Sequence, residues 1–178
     1  MKKLAVIVAA PLLACAASAA IADEDRFSLR LNGYEEVPAL STAGSGRFRA
    51  EISRHDDAID YVLSYADLQG NVTQAHVHFG QFSVNGGISF FLCTNLGNGP
   101  AGTQLCPPAP ATVRGTIRAA DVIGPNGQGI APGELAEIIA AIRAGIAYAN
   151  VHSSLFPAGE IRAQFPERSD HRHDHDRD

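Results

Sequence analysis

Apolar and polar residues alternate with a period of two along most of this chain. In the segment 27–31, Phe27, Leu29 and Leu31 fall on one side, and in 46–53 Phe48, Ala50 and Ile52 oppose Arg47, Arg49 and Glu51. A period of two is the signature of a strand with one face buried. After a turn at Arg54 to Asp57 the alternation resumes from Ile59 to Tyr65, which predicts a hairpin. Further strands are expected at Val72 to Phe79, Ile88 to Cys93, Val113 to Arg118, Ile146 to His152 and Gly159 to Phe165. Short strands separated by Gly, Pro and Asn turns point to an all-β, antiparallel Greek-key sandwich, immunoglobulin-like or superoxide-dismutase-like in outline. One segment departs from the pattern. Between Pro132 and Gly145, Leu135, Ile138, Ile139 and Ile142 recur at helical spacing, with acidic residues in the first turn, Arg143 in the last and Gly145 as a stop. That spacing predicts one short helix before the last two strands, its apolar stripe packed on the sheet.

The final pair of strands can be aligned on paper. A hairpin across the connection from Ser153 sets His152 opposite Glu160, Asn150 opposite Arg162 and Tyr148 opposite Gln164, with Val151, Ile161, Ala163 and Phe165 on the core face. A ladder of polar residues then occupies the other face.

The two ends carry different information. Lys2 and Lys3 precede an apolar run from Leu4 to Ala14 and a small-residue stretch ending Ala20-Ile21-Ala22, the form of an export signal over 1–22 and too short for a membrane span. Cleavage after Ala22 predicts a secreted or periplasmic domain over 23–166. The alternative is a lipobox at Leu12-Leu13-Ala14-Cys15, with Cys15 as the lipid anchor of a membrane-tethered lipoprotein. Residues 167–178 hold His171, His173 and His175 among Asp and Arg with nothing to bury, so a disordered Asp/His/Arg tail is expected. Such a tail binds divalent ions loosely.

Export changes the reading of the cysteines. Cys93 and Cys106 close a short Gly-, Asn- and Pro-containing loop, best read as a disulfide in an oxidising compartment. A thiolate metal pair is the weaker rival, because the spacing is far from Cys-x-x-Cys. The signal also takes both lysines with it. Twelve arginines then face 19 acidic residues, a net charge of about −7. No basic stripe runs along the chain, which argues against a nucleic-acid partner.

Three of the seven histidines sit in strand contexts: His76 and His78 in Ala75-His-Val-His-Phe-Gly80, and His152 in Asn150-Val-His152. His76 and His78 share a face by alternation. Two histidines on one strand and a third on another make a candidate divalent metal site, with Cu(II) or Zn(II) the ions suited to neutral imidazoles. Methionine and free thiolate are missing from the mature chain, which excludes a blue-copper centre. Glu160, beside His152 in the drawn register, is the candidate to accept the N–H of that ring. Glu36 is a candidate fourth ligand, with Asn150 and Arg162 alongside. The bland alternative makes the histidines structural and leaves Glu160 and Arg162 as a surface ion pair. His55, in the turn, reads as solvated, and Asn71-Val72-Thr73 as a chance glycosylation triplet.

Four motifs in order resemble those of the CHRD domain, named for chordin and found in many bacterial secreted proteins. They are Leu31-Asn-Gly-Tyr-Glu-Glu-Val-Pro38, Ala75 to Gly80, Ala144-Gly-Ile-Ala-Tyr-Ala-Asn-Val-His152 and Gly159-Glu-Ile-Arg-Ala-Gln164, spanning about Phe27 to Phe165. Ala39 and Ala163 stand where the family often has proline and glycine. The resemblance implies an extracellular β-rich module and brings no settled activity. A looser similarity, to copper-zinc superoxide dismutases, concerns the His-x-His strand and the late Val-His strand; the long zinc loop of those enzymes is not visible here. The expected function is therefore an exported, non-catalytic binding module with a candidate three-histidine metal site, its partner a metal ion or an extracellular protein or ligand. No Ser, Cys or carboxylate-pair pattern of catalysis is present. The alternatives are a copper or zinc sequestration or delivery protein, and a metalloenzyme with a dismutase-like copper site.

Overall fold

The computed structural model describes residues 25–168; the signal segment with Cys15 and the histidines of the tail lie outside the described residues. Eight strands appear where alternation places them: β1 Arg26–Asn32, β2 Ser45–Ile52, β3 Ile59–Ala66, β4 Val72–Phe79, β5 Gly87–Thr94, β6 Ala111–Ile117, β7 Ala147–Ser153 and β8 Ile161–Gln164, with the helix α1 Leu135–Arg143 before β7. All the pairings are antiparallel, in the order β5-β4-β7-β8-β1-β2-β3-β6.

The sandwich is one continuous sheet folded over. Its halves, β5-β4-β7-β8 and β1-β2-β3-β6, join through the single ladder pair Asn32–Arg162. The chain crosses between halves three times, from β3 to β4, from β5 to β6 and, through α1, from β6 to β7. Between the halves lies one core. Phe165 sits edge-on to Phe27 and Phe48, at ring separations of 5.3 and 5.9 Å. Leu135, Ile138, Ile139 and Ile142 of α1 are buried in the same cluster. The strand faces sort as the pattern requires: Phe27, Leu29, Leu31, Phe48, Ala50 and Ile52 are buried. Burial on this scale contributes roughly 25 cal/mol per Å² of apolar surface, far more than any surface ion pair.

The outer edges of β5 and β6 are closed by the loop that follows Cys93. A disulfide joins Cys93 to Cys106, and the loop between them returns Gln104 to the seam. There the Gln104 carbonyl accepts from Thr94 N–H at 2.9 Å, and its amide donates to Tyr61 Oη and the Arg114 carbonyl. Tyr61 donates in turn to the Leu92 carbonyl at 2.7 Å. One polar chain thus links β5, β3 and β6 where no ladder runs, and it supplies partners to edge groups that otherwise lack them.

The tail differs from expectation at its start. Glu167 and Arg168 continue along the domain: Arg168 N–H donates to the Arg143 carbonyl at 2.9 Å, and its guanidinium donates to the Arg26 carbonyl and lies over the Phe27 ring. A cation above an aromatic face is attracted by the ring quadrupole, which the residue types alone did not reveal. Arg143 bridges Asp25 and Asp56, both at 2.8 Å, tying α1 to the residue before β1 and to the β2–β3 turn.

Reducing the disulfide should lower stability by about 3 kcal/mol and leave the fold intact, since the bridge closes one loop on a domain with its own core. Urea unfolding of oxidised and reduced protein, followed by circular dichroism, measures this; loss of a cooperative transition on reduction would contradict it.

Candidate metal centre

His76 and His78 project from β4 on the side opposite Ala75 and Val77, which are fully buried in the core. β7 pairs with β4 so that Asn150 lies across from His76 and Tyr148 across from His78, with His152 opposite Gln74 one step along. This polar face is not a surface. His76, His78 and His152 are 0, 7 and 5 % exposed. The connection after β4 folds back over the face: Gly86 receives His78, and Gln81, Val84 and Asn85 receive Arg162. Gly86 is required there, because a Cβ would stand 1.7 Å from the Phe79 carbonyl oxygen.

The hydrogen bonds fix the tautomers. His78 Nδ1 lies 3.0 Å from the Gly86 carbonyl oxygen and His152 Nδ1 lies 3.0 Å from that of Pro157. A carbonyl only accepts, so both rings carry their proton on Nδ1 and present a bare Nε2. His152 Nε2 lies 3.2 Å from His76 Nδ1, which must then be the donor, leaving His76 Nε2 bare as well. Among the described residues neither His76 Nε2 nor His78 Nε2 has a hydrogen-bond partner, although both are buried. Two orphaned imidazole lone pairs in one cluster are an uncommon expense, and a metal ion is the natural partner for them. One ring nitrogen from each histidine lies within 4.8 Å of the other two. Nitrogens on one ion at 2.0–2.1 Å sit roughly 3.3 Å apart, so the widest separation has to contract by about 1.5 Å.

Burial also holds the rings neutral. Loss of solvent, reinforced by His152 and His78, pushes His76 down to about 2. His78 falls to about 4, with burial dominant and the bond to Gly86 opposing, and burial lowers His152 too. Neutral imidazole is the form that ligates.

The surroundings confirm part of the drawn register and correct the roles assigned from it. Tyr148 pairs with Gln164, Asn150 with Arg162 and Val151 with Ile161, and Glu160 N–H donates to the Val151 carbonyl at 2.8 Å. Glu160, however, does not orient His152. It is 0 % exposed, and its Oε1 accepts from Thr42 Oγ1 at 2.8 Å and from Gln69 N–H at 2.6 Å, while the Pro157 carbonyl takes the His152 proton. A shared sheet face left open how far each side chain would turn. Nor do Glu160 and Arg162 form a surface ion pair: Arg162 is 1 % exposed and lies 3.4 Å from the centre of the Tyr148 ring. His78 stacks on that ring at 4.7 Å with planes 1° apart. Because β4 and β8 flank β7 on opposite sides, imidazole, phenol and guanidinium form one stack across three strands.

Glu36 stays outside the group of convergent ligand atoms. Its Oε1 accepts from Asn150 Nδ2 at 2.6 Å, and the same amide donates to the Ile161 carbonyl. Burial raises the Glu36 carboxyl to about 7 against the pull of Asn150 and Arg162. A Cβ at Gly159 would lie 2.7 Å from both Glu36 carboxylate oxygens, so that glycine makes room for the contact. His55 is exposed in its turn. The partners that residue types did not announce are Tyr148 as the middle of the stack and the carbonyls of Gly86 and Pro157. Only Tyr148, two residues from Asn150 on the same face, carried a sequence signal.

A folded-over antiparallel sheet with a buried imidazole cluster on its covered face defines the class of the molecule. The sequence matches the CHRD domain over residues 27–165, and the chain belongs to that family. No curated protein and no solved structure matches it. Membership supports a binding module, in keeping with the disulfide; no helix among the described residues is long and apolar enough to cross a membrane.

The pKa shifts predict acid lability in the metal-free protein. Unfolded histidines take up protons below about 6.5, whereas folded His78 and His76 resist until about 4 and 2. The unfolded chain therefore binds more protons in that window, and stability falls as pH drops. His78 alone implies a loss on the order of 3 kcal/mol as pH falls from neutral through about 4. Glu36 acts in the opposite sense between 4.5 and about 7, because there the folded form holds the extra proton. Three histidines outweigh one carboxyl, so the urea midpoint of apo protein should fall steadily from pH 7 to 4.5, and less so in His78→Gln. A flat profile in wild type would contradict the account.

Proposed function

We propose that this protein is an exported CHRD module, released by cleavage near Ala22, that holds one divalent ion, Cu(II) or Zn(II), on His76, His78 and His152. The observation that carries the reading is the pair of buried imidazole nitrogens, His76 Nε2 and His78 Nε2, without partners among the described residues, on rings whose other nitrogens are tied to His152 Nε2 and to the Gly86 carbonyl. With both cysteines of the domain in a disulfide, thiolate is not on offer, and three imidazoles suit Cu(II) or Zn(II). The lid segment 80–86 would act as an outer shell through the Gly86 carbonyl, and Pro157 would do the same for His152.

Burial favours holding an ion over turning over a substrate. A catalytic centre keeps an open coordination position and a route to it, whereas these rings are at most 7 % exposed. The module therefore binds, sequesters or hands on the ion, and a dismutase-like activity has less support.

The test uses the full chain with His171, His173 and His175 changed to alanine, so that the tail contributes nothing. Isothermal titration should show uptake of about one Cu(II) or Zn(II) per chain, abolished by His76→Ala, His78→Ala or His152→Ala. No uptake by the tail variant, or equal uptake by the three further variants, would make the cluster structural.

A further inference from the structure

The half-sheet remote from the histidines assembles a charged surface that is invisible along the chain. The ladder places Arg30 directly opposite Arg47, and that row continues through Ser64 to Thr112. The next row runs Ser28, Arg49, Val62 and Arg114. All eight side chains point away from the core, since their strand neighbours Leu29, Phe48, Ala50, Leu63 and Val113 are the buried ones. Adjacent strands lie about 4.8 Å apart, so Arg30, Arg47 and Arg49 cluster on the neighbouring strands β1 and β2, and Arg114 stands in the same row as Arg49 two strands further on. None of the four makes an ion pair among the described residues. The acidic residues of this face stand only in the end row, where Glu51 is taken by Arg26 and Asp60 by the Thr116 hydroxyl. A shallow groove of about 780 Å³ follows the first row, bounded by Arg30, Arg47, Ser64 and Thr112 with Pro110 and Ala66 at its side.

Like charges directly opposite each other on a sheet destabilise it. Here the repulsion is set on the central strands β1 and β2 of a protein with a net charge of −5, where protection of a sheet edge does not call for it. Arginine's planar fork matches a carboxylate through two parallel hydrogen bonds. Between the arginines stand hydroxyl groups, Ser28, Ser64 and Thr112, and no aromatic ring on either row on which a nucleobase would stack. We infer that this face binds an acidic polysaccharide of uronate type, a polymer with a carboxylate on each sugar for the arginines and hydroxyls for the serines and threonine.

Charge complementarity drives the association and hydroxyl contacts align the chain, so binding weakens with salt. This surface shares no residue with the histidine cluster, and its test is run in EDTA so that metal plays no part. Titration of the full chain with polygalacturonate at low ionic strength should give saturable binding, absent with neutral dextran. Arg47→Gln with Arg49→Gln should weaken it roughly tenfold or more. Arg54→Gln, in the exposed β2–β3 turn, should leave it unchanged. Arg30→Gln should weaken binding while its thermal midpoint stays the same or rises, an effect that a purely structural arginine would not give. The proposal is overturned if wild type does not bind polygalacturonate, if Arg54→Gln weakens binding as much as the patch variants, or if duplex DNA of equal charge binds as tightly.

Discussion

The structure turns on a layer of polar side chains that has been taken out of water on the outer side of β4, β7 and β8. Desolvation of such groups is costly unless each finds a partner, and most here do. Backbone carbonyls of the connections take the protons of His78 and His152, Asn150 and Thr42 serve the two carboxylates, and Arg162 lies against Tyr148 while reaching the 80–86 segment. The exceptions give the layer its chemistry. His76 Nε2, His78 Nε2 and Glu160 Oε2 have no hydrogen-bond partner among the described residues, and the two imidazole nitrogens are of the kind that ligates an ion.

The same constraint explains why the connections matter as much as the strands. Gly86 approaches Phe79 more closely than any side chain allows, and in doing so brings its carbonyl to His78. Gly159 clears space for Glu36 beside Asn150. These glycines let backbone close over a polar face that open water would otherwise solvate. Of the segments that resemble the CHRD domain, one holds His76 and His78, another Asn150 and His152, and a third Gly159 and Glu160, while Gly86 lies outside them.

Much of this was legible before any coordinates. Alternation located the strands, helical spacing located α1, and pairing the last two strands on paper gave the Tyr148–Gln164 and Asn150–Arg162 pairs. A period of two states which face a side chain occupies. It does not state whether that face is covered, and for this reason Glu160 and Arg162 read as a surface ion pair when both are buried with other partners. The arginine face escaped for a related reason. Arg30, Arg47, Arg49 and Arg114 are scattered through the sequence, and only the register of β1, β2, β3 and β6 gathers them.

The central claim is that His76 and His78 are neutral, protonated on Nδ1, and leave Nε2 free for an ion. Long-range ¹H–¹⁵N correlation spectra of the imidazole rings in apo protein near pH 6 test it directly. The account predicts two Nδ1–H tautomers whose Nε2 resonances move on addition of Zn(II). Imidazolium signals at that pH, or Nε2–H tautomers that ignore the ion, would contradict it.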